Sequence, residues 1–175
     1  MQALIFLVQT AFGLYQAVLL LRLLLQLARA DFRNPLARAI VQLTDPVIRP
    51  LRRVLPPFGK VDTASVVAIL LAVALEIASV QLLLGIGLPG PFVLLRSLAV
   101  HLLQLLLKTW LVCIILYAVM SFVAPGNYSP AQSLLASICE PVLRPVRRRI
   151  PPIAGLDLSP LWVCIAIQAL LILVG

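Results

Sequence analysis

Glu76, His101, Gln104 and Lys108 stand inside long runs of leucine, valine and isoleucine. An ionisable group in such a run is costly and marks either a function or a partnership. His101, Gln104 and Lys108 fall at i, i+3 and i+7 and share one helix face. Counted from the turn around residues 85–91, Glu76 and Lys108 lie at matched depths on two antiparallel segments, as do Gln81 and His101. The matched depths predict a Glu76–Lys108 ion pair and a Gln81–His101 hydrogen bond. Such a pair would either join two helices or, with Gln104 and Gln9, line an ion path. No second acidic residue supplies a relay, which favours the structural link.

Other chemistry finds little footing. With a single histidine, no Ser/His/Asp or Cys/His constellation assembles from spacing alone. Cys113, Cys139 and Cys164 have neither metal-ligand nor disulfide spacing and read as small buried apolar residues. Gly85-Ile86-Gly87 is a linker rather than a phosphate loop. Neither an enzyme nor a cofactor or metal is expected.

The arginines are organised differently. Residues 45–62 begin Asp45-Pro46-Val47-Ile48-Arg49-Pro50-Leu51-Arg52-Arg53, and ninety-five positions on, Glu140-Pro141-Val142-Leu143-Arg144-Pro145-Val146-Arg147-Arg148 repeats the pattern without a gap. Pro56 and Pro57 match Pro151 and Pro152, and Asp62 matches Asp157. Asn34-Pro35 and Ser129-Pro130 extend the repeat upstream. The chain is an internal duplication, with halves expected at residues 1–88 and 89–175. In each copy apolar residues recur at three and four while arginines share the other face, which suits a membrane–water interface better than a solvated loop. Asp45 before Pro46 reads as a helix cap, with Pro50 kinking and Pro56-Pro57 ending the helix. Asp62 and Asp157 read as caps on the helices that follow. Arg49, Arg52 and Arg53, and Arg144, Arg147 and Arg148, are candidates for binding anionic headgroups or a partner.

What must position these residues is a membrane bundle. Hydrophobic residues make up 62% of the chain, charged residues 11%, and mean hydropathy is +1.11, far from globular averages. Spans are expected at about residues 3–27, 65–84, 98–123 and 159–175. The first outlasts a signal-peptide core and lacks a basic leader, so it reads as retained. Gln2, Gln9 and Gln16 form a stripe on it, turned toward other helices. The expected fold is all-α and integral to the membrane. It has four transmembrane helices in two tandem repeats, each carrying an interfacial proline- and arginine-rich hairpin. Net charge is +8, and the cations cluster in the two hairpin loops. The positive-inside rule puts those loops in the cytoplasm and both termini outside. Two spans per repeat would relate the halves by a pseudo-two-fold axis along the membrane normal. Nucleic acid is not an expected partner, because only Phe58 could stack among the arginines.

Two membrane segments around (D/E)-P-V-(I/L)-R-P-(L/V)-R-R-x-(L/I)-P-P, with an aspartate and a nearby serine after it, resemble the YggT family (YlmG relatives), here in two copies. Phe58-Gly59-Lys60 and Ile153-Ala154-Gly155 depart from the Gly-Gly-(Ile/Leu) usual before the aspartate. The resemblance implies a small bacterial inner-membrane protein with plastid relatives. It implies a role in osmotic tolerance, division or envelope organisation, or assembly of organelle complexes, with no agreed biochemical activity. The expected function is thus a non-enzymatic membrane scaffold or assembly factor whose basic loops meet anionic lipid, a membrane-protein partner or a second copy. The alternative is a small transporter or channel component for an ion or osmolyte.

Overall fold

The computed structural model describes residues 1–56, 58, 61–87, 89–123, 129–149 and 157–175. They form α1 Gln2–Leu27, α2 Pro35–Val54, α3 Thr63–Leu84, α4 Pro91–Val123, α5 Pro130–Arg147 and α6 Ser159–Val174. Among the described residues the only other pairing is a backbone bridge between Phe58 and Val61. The fold is all-α.

Helices α1, α3 and α4 are long and apolar enough to cross a bilayer. Only 17%, 28% and 22% of their most apolar windows are buried, so most of that surface faces outward. Phe6, Leu14, Leu75, Leu82, Ile115 and Val119 are among the exposed side chains. Such a surface suits acyl chains and not water. The fourth expected span is shorter: α6 has 16 residues, about 24 Å of helix against a hydrocarbon core of about 30 Å. Among the described residues three helices, not four, qualify as spans by length and composition.

The halves pack alike. Helix α1 lies on α3, and α4 on α6. Helix α2 rests against α1 and α3, while α5 rests against α4 and α6. Ile48 and Leu143, at equivalent places in the two motifs, are both fully buried, and each anchors its hairpin in the bundle. Across the halves α1 and α3 meet α4, and α2 meets α5.

Each hairpin helix starts earlier than the Asp45-Pro46 pattern suggests. Asn34 caps α2, its side-chain oxygen accepting from the Leu36 N–H at 2.9 Å, with Pro35 in the first turn. Ser129 caps α5 through the Gln132 N–H at 3.1 Å, again ahead of a proline. Asp45 therefore does not cap a helix; it lies in the middle of α2, as Glu140 does in α5. Pro46, Pro50, Pro141 and Pro145 all stand inside helices, where each removes a backbone bond and disfavours the helix. Packing outweighs the penalty. Ala37, Thr44 and Ile48 are buried along one face, with Ile40 and Leu51 beside the core. Arg52 and Arg53 in the last turn of α2 also suit the negative end of its dipole.

Helix ends are set locally. Gly85 closes α3 in the left-handed region at φ 68°, with the Ile86 N–H reaching back to the Gln81 carbonyl at 3.3 Å. Arg29, at φ 51°, takes the equivalent role after α1, where the Ala30 N–H bonds to the Leu25 carbonyl at 2.9 Å.

Asn34 also ties the halves together, since its Nδ2 donates to the Pro130 carbonyl at 2.6 Å and the Ser133 hydroxyl at 3.2 Å. Asn34→Ala should lower stability by about 1 kcal/mol, the usual loss of a cap. Asn34→Asp retains the cap and loses the donor, so it should recover most of the thermal stability in detergent. Equal loss in both variants would assign the effect to the link between halves.

Candidate functional site

The aspartate that closes each motif holds an arginine ten residues before it. Arg52 Nη2 donates to Asp62 Oδ2 at 2.6 Å, and Nε lies 3.2 and 3.3 Å from the two carboxylate oxygens. The Ser65 hydroxyl donates to Asp62 at 2.7 Å. Asp62 thus stands at the entry to α3 without a capping bond to the backbone; its side chain serves Arg52. In the second half Arg147 Nε donates to Asp157 Oδ2 at 2.6 Å, and Asp157 also accepts from the Ser159 N–H at 2.9 Å, while the N-cap position of α6 itself is Leu158, without a side-chain cap. Each hairpin is clasped to the helix that follows it. Burial alone would raise the Asp62 carboxyl, but hydrogen bonds from Arg52 and Ser65 and the Arg52 charge hold it below its ordinary 3.8. Burial likewise opposes, and Ser159 and Arg147 outweigh, so that Asp157 is also lowered.

The repeats diverge one step upstream. In the first, Arg22 near the end of α1 is buried and its Nη1 donates to Asp45 at 2.8 Å, Thr44 Oγ1 at 2.7 Å and the Val41 carbonyl at 3.3 Å. Arg49 flanks the same carboxylate at 2.8 Å. The position equivalent to Arg22 is Tyr117. With no second arginine there, Arg147 also reaches Glu140 at 3.0 Å and the Tyr117 hydroxyl at 3.4 Å, its guanidinium lying 5.8 Å from the centre of that ring. Asp45 is lowered in the same manner, burial opposing and Arg22 and Arg49 prevailing.

The expected lipid-binding arginines therefore divide. Arg52 and Arg147 are engaged in the clasps, and Arg49 is paired while its side chain stays 77% exposed. Arg53, Arg144 and Arg148 are exposed and make no ion pair among the described residues. Phe58 is exposed, whereas Gly59, Lys60 and residues 153–155, where the motif departs from the family pattern, lie outside the described residues. Cys113 and Cys139 are buried and Cys164 partly so; burial pushes the Cys139 thiol up to about 12, which makes it inert near neutrality.

Inside the bundle the expected pairing is replaced by another. Glu76 does not meet Lys108, which is exposed on α4. Instead Gln16 Nε2 donates to Glu76 Oε2 at 2.7 Å. His101 Nε2 lies 3.1 Å from Gln16 Oε1 and 3.3 Å from Glu76 Oε2. Both neighbours are accepting oxygens, so the ring carries its proton on Nε2. Gln81 is not the partner of His101, and its side-chain oxygen is buried without a hydrogen bond among the described residues. Gln104 lies beside Gly175. Of the glutamine stripe on α1, Gln16 is turned inward while Gln2 and Gln9 are exposed. Depth along the antiparallel α3–α4 pair was the wrong guide, because α3 packs chiefly on α1. The inward turn of Gln16 agrees with the glutamine stripe; its pairing with Glu76 and His101, and the role of Arg22, were missed. A polar side chain among leucines with no partner on its own helix was the available signal for both.

Helices long and apolar enough to cross a membrane, with a repeated, clasped proline–arginine hairpin between them, define an all-α protein whose composition suits a membrane. The chain belongs to the CCB3/YggT family, whose model matches it in two segments, residues 1–83 and 97–175. It is 40% identical over 173 residues to an uncharacterized protein of Pseudomonas aeruginosa, covering 98% of this chain and 88% of that one. It is 39% identical over 165 residues to the uncharacterized protein YggT of Escherichia coli, covering 92% and 83%. An uncharacterized Vibrio alginolyticus protein from the proC 3′ region is 37% identical over 178 residues, covering 100% and 95%. No solved structure matches the chain significantly.

The clasps differ in burial, and their substitution should differ accordingly. The Asp62 side chain is 2% exposed and that of Asp157 is 40% exposed. Asp62→Asn should cost about 2 kcal/mol, less than a fully buried pair because Arg52 is half in solvent, and Asp157→Asn under about 1 kcal/mol. Both carboxyls are depressed, so the clasps contribute fully above the ordinary 3.8 and lose that contribution as pH falls through the lower folded values. Melting in detergent should be flat near neutrality and drop in acid, with a smaller drop in Asp62→Asn; an unchanged acid drop would place its origin elsewhere.

A double-mutant cycle tests the bundle cluster. Gln16→Leu and Glu76→Leu should show coupling of about 1 kcal/mol, typical of hydrogen bonds between membrane helices. Glu76→Leu with Lys108→Met should be additive. Coupling in the second cycle and none in the first would restore the Glu76–Lys108 pair.

Proposed function

We propose that this protein is a non-enzymatic inner-membrane scaffold or assembly factor, whose two hairpins lie on the cytoplasmic leaflet and engage anionic headgroups. The observation that carries the reading is the pair of clasps. Each fixes an amphipathic helix against the bundle with its apolar face inward and leaves arginines on the outer face, Arg49 and Arg53 in one repeat and Arg144 and Arg148 in the other. Each cation near an anionic surface contributes on the order of 1 kcal/mol, so four such residues suffice to hold the hairpins there. In this reading α6 is the fourth span, with the bilayer thinned or α6 upright beside α4. The charge asymmetry supports cytoplasmic hairpins and external termini.

The second reading, a small transporter or channel component, draws on the Gln16–Glu76–His101 cluster. The two clefts at the hairpins do not include those residues, which favours a helix-joining role for the cluster.

Neutralising Arg49, Arg53, Arg144 and Arg148 to glutamine should leave insertion and melting unchanged while removing co-purified anionic lipid and any stoichiometric partner from native membranes. Impermeant labelling of single cysteines at positions 38 and 87 should reach only position 87 from outside. Undiminished lipid and partner retention in the variant, together with Glu76-dependent ion flux in liposomes of the purified protein, would favour the transporter.

A further inference from the structure

We infer that the cleft between α1 and α2 holds the phosphate of one anionic phospholipid headgroup, and that the second repeat has no equivalent site. The inference rests on the headgroup-binding reading of the hairpins and gives it a place and a stoichiometry. The cleft has a volume of about 630 Å³, and Arg22, Arg38, Arg49, Arg52, Gln26 and Gln42 line it.

Arg22 is the informative residue. Its side chain is only 5% exposed, yet its described hydrogen bonds all leave from Nη1. A guanidinium carries further N–H donors on Nε and Nη2 in a fixed planar fork suited to phosphate oxygens. Those donors have no protein acceptor among the described residues, although Arg22 lines the cleft. An anion seated in the cleft would accept charge-assisted hydrogen bonds from them.

Charge points the same way. Asp45 is the one carboxylate in the lining, and Asp62 neutralises Arg52 from outside it. Four guanidinium groups against these two carboxylates leave a net positive cleft, which fits a phosphodiester. Arg38 is exposed and makes no ion pair among the described residues, so it is free to close over the ligand.

The surroundings favour a lipid over free phosphate. Phe32 on the rim of the cleft is 39% exposed, and Leu27 and Leu43, next in sequence to the lining residues Gln26 and Gln42, are exposed as well. Acyl chains below a seated headgroup would cover these side chains, whereas an inorganic ion would leave them in water.

The asymmetry follows from the duplication. The positions equivalent to Arg22, Gln26, Arg38 and Gln42 are Tyr117, Ser121, Ser133 and Ser137. The one arginine of the second repeat that faces inward, Arg147, is shared among Asp157, Glu140 and Tyr117. The second repeat retains the clasp and has lost the phosphate donors.

Native mass spectrometry of the full chain, released from nanodiscs of mixed phosphatidylglycerol and phosphatidylcholine, tests the assignment. One phosphatidylglycerol per chain should survive activation, and Arg38→Gln combined with Gln42→Ala should reduce its retention tenfold or more. Ser133→Ala with Ser137→Ala, the equivalent positions of the second repeat, should change it less than twofold. Melting of each variant in detergent confirms that it is folded. Equal loss in both double variants would overturn the single site while leaving general headgroup binding intact. No loss in either, with lipid still bound, would overturn the headgroup reading as well. If inorganic phosphate alone stabilised the wild type as much as phosphatidylglycerol, and Arg38→Gln abolished that effect, the ligand would be free phosphate and the lipid assignment would fall.

Discussion

Two carboxylates at helix entries, Asp62 and Asp157, hold two arginines, Arg52 and Arg147, and the position of both hairpins depends on that contact. A charge at the edge of a low-dielectric bundle is stable only when another group neutralises it and fills its hydrogen-bonding capacity. Each clasp meets that condition and restrains a helix that two internal prolines would otherwise weaken. The Thr63 hydroxyl bonding the Pro56 carbonyl at 2.8 Å adds a neutral tie at the first clasp. Once the hairpins are fixed, Ile48 and Leu143 drop into the bundle, and the remaining arginines have only one direction in which to face.

The duplication preserved this contact and relaxed what surrounds it. In the first repeat two arginines serve two carboxylates, Arg22 with Asp45 and Arg52 with Asp62. In the second a single arginine serves Glu140 and Asp157 and leans on Tyr117. Thr44 and Cys139, equivalent and both buried, follow the same drift, since the hydroxyl that accepts from Arg22 has no corresponding arginine to receive in the second repeat. One half therefore has guanidinium donors to spare, and the other has used its own.

Within the bundle the Gln16–Glu76–His101 cluster answers a different demand. Glu76 is buried among apolar side chains, and the amide and imidazole that reach it come from α1 and α4. Because α1 and α3 belong to one half and α4 to the other, the cluster joins the halves through polar contacts. The equivalent position in the second repeat is Leu171, so this polar link exists once.

The sequence by itself determined the all-α class, the duplicated motif, the apolar helices long enough to span a membrane and the cap-then-proline starts at Asn34 and Ser129, because hydrophobic runs, proline and capping residues act through local geometry. It misplaced Asp45, since a proline inside a helix looks like a helix start until packing of Ala37, Thr44 and Ile48 on one face outweighs the missing bond. Which polar group faces which was decided by tertiary structure alone. Matched depth along neighbouring strands of sequence suggested Glu76 with Lys108, but helix rotation about its own axis selects partners, and that rotation is set by which apolar faces interlock. The packing of α3 on α1 turned Glu76 toward Gln16 and left Lys108 outside.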